Sequence, residues 1–229
     1  MLRHPLTLLT QAVPPLTLDR ATTCLLLQDA HAAFADPEPG WLARHAQAKV
    51  LDREFDEYFD TLRLLAPNIE RLVDAFRARR IPVLFSCLGN GSDRPPSRFQ
   101  QATGWEWTLA GPDGDFPASW RPRAGELVFA KPGWGALANP DFARHLDDQR
   151  IETVVIAGTM LDFGIRQTCY ELADRGIGSL IVSDAVVPLT LAGGAHATGN
   201  LAHGLSKLRS TAELLDLLLE LDQHGSVVI

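Results

Sequence analysis

Short runs of β-branched and aliphatic residues recur along the chain at Thr23–Gln28, Pro82–Cys87, Glu126–Ala130, Thr153–Gly158 and Ser179–Ser183. Each is strand-sized and nearly continuous in its apolar character, the pattern of strands covered on both faces. Between and after them, apolar residues fall at three- and four-residue spacing over Glu54–Leu64, Asn68–Arg80, Pro140–Gln149, Ile165–Asp174 and Ala212–Leu221, which predicts helices. Strand and helix alternate, as in βαβ units. Right-handed crossovers assemble such units into a mostly parallel sheet of about six strands with helices on both faces, a three-layer α/β architecture. Ligands then bind beyond the carboxyl ends of the strands.

Two stretches break the alternation. Gly89–Arg123 is rich in Gly, Pro, Ser, Asp and Trp and has little periodicity, so it predicts a long excursion that serves as a lid or an intersubunit element. The last helix carries leucine at 214, 215, 217, 218, 219 and 221, which covers more than one face and predicts packing on the sheet or on another subunit. A homodimer or homotetramer is the expected assembly. No internal repeat or low-complexity tract is present.

The chain has 229 residues, 46% of them hydrophobic, enough for one full core. Residues 1–21 are expected to form an ordered N-terminal arm and 22–229 a single domain. The net charge of −7 comes from 28 acidic and 21 basic residues without a long like-charged block. That balance offers no footprint for nucleic acid or an anionic membrane, and a small-molecule substrate is expected. Three cysteines without CxxC spacing, Cys24, Cys87 and Cys169, argue against a disulfide framework or zinc ribbon and for a reducing cytoplasm. No apolar run reaches the roughly 18 residues of a membrane span.

Asp29 follows CLLLQ directly, and Lys131 follows LVFA just before a Pro132–Gly133 turn, so both stand at the carboxyl edge of the sheet. Each also has a plain structural reading: Asp29 as the cap of the next turn, Lys131 as solvated surface. In AGTMLDFGIRQTCYELADRG a strand ends at Gly158 and a helix begins near Gly164, where free N–H groups would suit a carboxylate or oxyanion unless the glycine serves only close packing.

Together LLLQDAHAAF, FAKPGWGAL, AGTMLDFGIRQTCYELADRG and LIVSDAV resemble the isochorismatase-like hydrolase superfamily, over roughly residues 22–221. PNIERLVDAFRARRIPVLF looks like its second βα unit. The resemblance implies a Rossmann-like isochorismatase fold and, in most members, an Asp, a Lys and a nucleophilic Cys. Asp29 and Lys131 match the first two. Gly158, Thr168 and Gly176 hold the frame around the third, whose place is taken by Gly164. Cys169 lies five residues further along the helix, about 7.5 Å and roughly 140° away, and is expected to point elsewhere. Cys87, ending the second strand, is the other candidate thiol.

Without the thiol there is no thioester, and water must attack directly. Isochorismatases proper resemble this chain in having glycine there. That likeness implies Asp29 as the general acid or base, with enol-ether hydrolysis as one such reaction, and Lys131 tuning Asp29 or binding a substrate carboxylate. KPGWGAL and GWEWTLAG depart from the WRYSAF-like and DFWGPG-like stretches of those enzymes, and LDREFDEYFDTLRLLAPNIERL looks like cysteine-bearing branches. The alternative is an amidase relative that is catalytically silent, binding a ligand or protein, or that uses a non-standard nucleophile. Substrate contacts are expected from His31, Phe34, Arg94, Arg98, Trp105, Trp107, Trp134, Leu161 and Asp162. Nicotinamidase relatives bind a metal beyond the second strand, but LGNGSDRPPSRFQ carries no histidine, so neither a metal nor a cofactor is expected. Asp184 is read as a turn or capping residue.

Overall fold

A computed structural model describes residues 13–36, 40–48, 52–89, 95, 97–103 and 109–229. Its elements begin with β1 (Thr17–Asp19), β2 (Thr23–Gln28), α1 (Ala32–Ala35), α2 (Trp41–Ala48), α3 (Asp52–Ala78), β3 (Val83–Leu88) and α4 (Arg98–Thr103). After the excursion come β4 (Val128–Lys131), α5 (Pro140–Asp148), β5 (Thr153–Thr159), α6 (Arg166–Asp174) and β6 (Gly178–Val187). The chain continues through α7 (Leu191–Ala202), β7 (Ser206–Arg209), α8 (Thr211–His224) and β8 (Ser226–Val228). Six parallel strands form one sheet in the order β4-β3-β2-β5-β6-β7, so the α/β fold predicted from the alternation is the fold observed.

Side chains alternate across this sheet as the pleat requires. Leu25, Leu27, Phe85, Val155 and Leu180 face a core closed by α3 and α8. Cys24, Leu26, Leu84, Val154, Ile156 and Ile181 face a second core closed by α5, α6 and α7. In α8 the buried leucines are 214, 218 and 221, which lie on one face. A capping box at Ser210 and Glu213 starts that helix. Asp184 acts structurally, its Oδ1 accepting the Thr211 N–H at 2.7 Å and its hydroxyl at 2.8 Å.

The structure corrects several boundaries. The helices expected at 54–64 and 68–80 are one helix that runs through Pro67. Proline forfeits one backbone hydrogen bond, but Phe59, Leu62, Ile69, Leu72 and Phe76 pack on both sides of it into the same core. Helices α1, α2, α4 and α7 and strands β1, β7 and β8 were not predicted. Antiparallel β1 and β8 join the two ends of the described chain, with Leu16 and Ile229 exchanging backbone hydrogen bonds of 3.1 and 2.7 Å. The expected arm therefore contains a strand, while residues 1–12 lie outside the described set. Among the described residues no helix is long and apolar enough to cross a membrane.

Candidate active site

Asp29 is the first residue past β2, and the chain turns there with a φ of 49°, a left-handed conformation that Asp tolerates better than most residues. Its backbone is held from both neighbouring strands. The Asp29 N–H donates to Ser86 O at 2.8 Å, and Thr159 Oγ1 donates to Asp29 O at 2.7 Å. Lys131, the last residue of β4, reaches across β3 to place Nζ 2.7 Å from Asp29 Oδ2. The turn after Lys131 folds its own carbonyls back onto the ammonium, Trp134 O at 2.7 Å and Gly133 O at 3.2 Å. Three donors meet three acceptors. Asp29 Oδ1 accepts the Leu88 N–H at 2.6 Å.

Both charges are sealed: Asp29 is 1% exposed and Lys131 0%. Burial pushes the Asp29 carboxyl above its usual range, against the lowering effects of Lys131, the Leu88 N–H and Gln28. His31 is also buried and its imidazole is pushed down to about 3 by burial, helped by the Lys131 charge, so it is neutral near pH 7. Its Nε2 lies 3.1 Å from Leu88 O, and Nδ1 has no hydrogen-bond partner. A carbonyl only accepts, so the proton sits on Nε2 and Nδ1 presents a bare lone pair.

The third element packs against this pair. A Cβ on Gly164 would lie 3.2 Å from Asp29 Oδ2, 3.0 Å from Trp134 O and 2.6 Å from Gln28 Nε2. Position 164 thus looks directly at the carboxylate. Thr168, one turn on, donates to Gln28 Oε1 at 2.7 Å or Gly164 O at 3.0 Å and accepts the Ala136 N–H at 2.8 Å. Gly158 lets β5 approach β2: its φ is 116°, and a Cβ there would fall 2.1 Å from Gln28 O. Around Gly164 the chain forms a widened turn, Leu161–Ile165, and the Phe163 and Ile165 N–H groups both go to Met160 O at 3.2 Å. Those two donors are therefore spent within the turn, and the helix α6 begins at Arg166.

The isochorismatase domain model matches residues 23–213 of this chain. The chain belongs to the isochorismatase family. Solved structures share its fold. A cysteine hydrolase from Pseudomonas syringae pv. phaseolicola superposes with a TM-score of 0.72 at 16% identity, covering 89% of this chain and 95% of that one. An isochorismatase family protein from Desulfovibrio vulgaris gives 0.67 at 22% identity over 87% and 99%. A nicotinamidase from Bacillus subtilis gives 0.60 at 17% identity over 79% and 94%.

In this isochorismatase-family chain the other expected contacts divide. Trp134 flanks the site, its carbonyl on Lys131 and its ring stacked on Phe163 with centroids 5.1 Å apart. With Arg166 these rings wall an open cavity of about 320 Å³. Leu161, Asp162 and Phe34 are engaged by packing and backbone contacts. Leu161 lies in the second core, and Asp162 Oδ1 accepts the Leu189 N–H at 2.8 Å, pinning the loop after β6. Phe34 is buried edge-on against His31 and Trp41. Arg98, at the start of α4, is exposed. Arg94, Trp105 and Trp107 lie outside the described residues. A cavity of about 580 Å³ lies at the opposite, amino edge of the strands, lined by Leu16, Glu152 and Gly178.

All three thiols are buried. Cys169 is buried against Ser179 and Ser206, and burial pushes it up to about 11. Cys87 is buried near Asp29, and burial first and that carboxyl second push it well above a normal thiol. Both hold their protons at neutral pH. Among the described residues no cluster of three or more His, Cys, Asp and Glu side chains is arranged to hold a metal. Gln28 and Thr168 were missed as site residues. The polar residue closing an otherwise apolar strand was the available signal for Gln28.

Proposed function

We propose that this chain is a hydrolase of a small, carboxylate-bearing molecule that uses water directly, with Asp29 as general acid and base and no cysteine nucleophile. The observation that carries the reading is position 164: the residue whose Cβ would stand 3.2 Å from the Asp29 carboxyl is a glycine. No nucleophile can come from there, while the three thiols present are buried and protonated. What remains at the centre is a carboxyl raised by burial and paired with Lys131.

A carboxyl raised above its usual range by burial suits proton donation in enol-ether hydrolysis. Asp29 gives its proton to the vinyl carbon, and the charge passes to the ether oxygen as an oxocarbenium ion. Water adds to the oxygen-bearing carbon of that ion and returns a proton to Asp29, and the hemiketal collapses to a ketone and an alcohol. Lys131 compensates the carboxylate that forms in the first step. The bare His31 Nδ1 accepts a hydrogen bond from substrate or water, and Trp134 and Phe163 border the planar part of the substrate. The enzyme works in the reducing cytoplasm as a homodimer or homotetramer, a state that light scattering would measure.

The sealed Asp29–Lys131 pair favours one other reading, a catalytically silent member that binds a ligand beside an ion pair kept for structure. Wild type and Asp29→Asn are to be compared on a panel of enol ethers, amides and ureides. The account expects wild-type turnover on an enol ether and a loss of about 10²- to 10⁴-fold in the variant. Equal rates in the two proteins would remove Asp29 from the mechanism. Failure of wild type on the whole panel would favour the binding reading.

A further inference from the structure

Gln28 is the last residue of β2 and is fully buried. Its side chain turns toward the site between Asp29, Trp134 and Thr168. Nε2 lies 3.3 Å from Trp134 O on the side of Asp29, whose carboxyl the amide helps to lower, while Oε1 accepts from Thr168 Oγ1 at 2.7 Å. The orientation of the amide follows from its partners. A carbonyl and a carboxylate accept, so the NH₂ must face them, and the oxygen is left for the threonine hydroxyl. The strand fixes its base as well, because Gln28 pairs with Gly158 where the two backbones approach too closely for any Cβ on residue 158.

The same amide nitrogen is only 2.6 Å from the place where a Cβ on residue 164 would be. Real Cβ atoms do not approach that closely, so a side chain at 164 requires the Gln28 amide to leave this arrangement. We propose that Gln28 is a positioning residue, its carboxamide filling the volume any side chain at 164 would need and holding Asp29 and the Trp134 carbonyl in one arrangement. Glycine at 164 and glutamine at 28 then form a coupled pair. Restoring a thiol by Gly164→Cys alone would displace the amide and release its grip on Asp29. The inference rests on the proposed function only in treating Asp29 as the working carboxyl, and its test does not read turnover.

The test has two arms. In the first, thermal unfolding is followed for wild type, Gly164→Ala, Gln28→Ala and the double variant. Gly164→Ala should lower Tm by several degrees in wild type and by less than half as much in the Gln28→Ala background, because the obstructing amide is gone. If Gly164→Ala alone fails to fold, a folded double variant is the same result. In the second arm, the Asp29 carboxyl carbon is followed by NMR against pH in protein labelled at aspartate, with Asp29→Asn used for assignment. The groups facing this carboxyl are Lys131 from β4, Cys87 from β3, Tyr58 from α3 and nearby His31. None of them changes in Gln28→Ala. Loss of one donor to the carboxylate should therefore move its midpoint up by about 1 pH unit. Losses that simply add in the first arm, or an Asp29 titration unchanged by Gln28→Ala, would each overturn the proposal.

Discussion

Lys131 donates to three acceptors and only one of them, Asp29 Oδ2, is charged. Removing the lysine leaves the carboxyl in a cavity built for its partner, with the Trp134 carbonyl keeping only the longer bond from Gln28 Nε2. Lys131→Met should therefore cost about 3 to 5 kcal/mol in a urea titration, and Asp29→Asn added to it should cost less than the sum of the two single changes. His31 makes a second prediction at this scale. Its folded pKa of about 3 lies below the ordinary value of 6.5, so the stability it contributes is present above pH 6.5 and lost as pH falls toward 3. Between pH 6.5 and pH 4, wild type should lose roughly 3 kcal/mol relative to His31→Gln, measured by denaturant unfolding at each pH. Asp29 and Lys131 were legible in the sequence because each ends an apolar strand. Gln28 was not: its role depends on what stands at 164 and 168, which the strand pattern does not contain. The partners of Asp162 were equally hidden. Next to the site in sequence, its carboxylate turns away to backbone N–H groups at Leu189 and Thr190.

Elements were easiest to read where burial is uniform. β2, β3 and β5 are buried at every position and stood out as apolar runs. α7 was invisible because Gly193, Gly194 and Gly199 dilute its periodicity. It starts at Thr190, whose side chain accepts the Gly193 N–H at 3.0 Å, and buries only Gly194, Ala197 and Leu201. Pro67 produced the opposite error, since a proline in a helical pattern reads as a stop. The start of α8 gives a clean test of local stabilisation. Ser210→Ala removes one half of a capping box and should lower stability by about 1 kcal/mol in urea unfolding, without altering the site some elements away.

The whole molecule follows from the alternation of strand and helix, which fixed the parallel sheet and placed the site at its carboxyl edge. The pairing of β1 with β8 was beyond such reasoning, because three-residue strands from opposite ends of the chain carry no local signal of each other. The order β4-β3-β2-β5 explains why Asp29 and Lys131, 102 residues apart, meet: one strand separates them, and a lysine side chain spans it. The family match over residues 23–213 covers this entire arrangement. Its most distinctive feature here is a glycine where a side chain would face Asp29. The most direct test is the intact mass of the protein quenched during turnover of an enol ether or amide substrate. The account predicts an unmodified mass at every time point while product accumulates; a transient gain equal to an acyl group, mapping to Cys87 or Cys169, would contradict it.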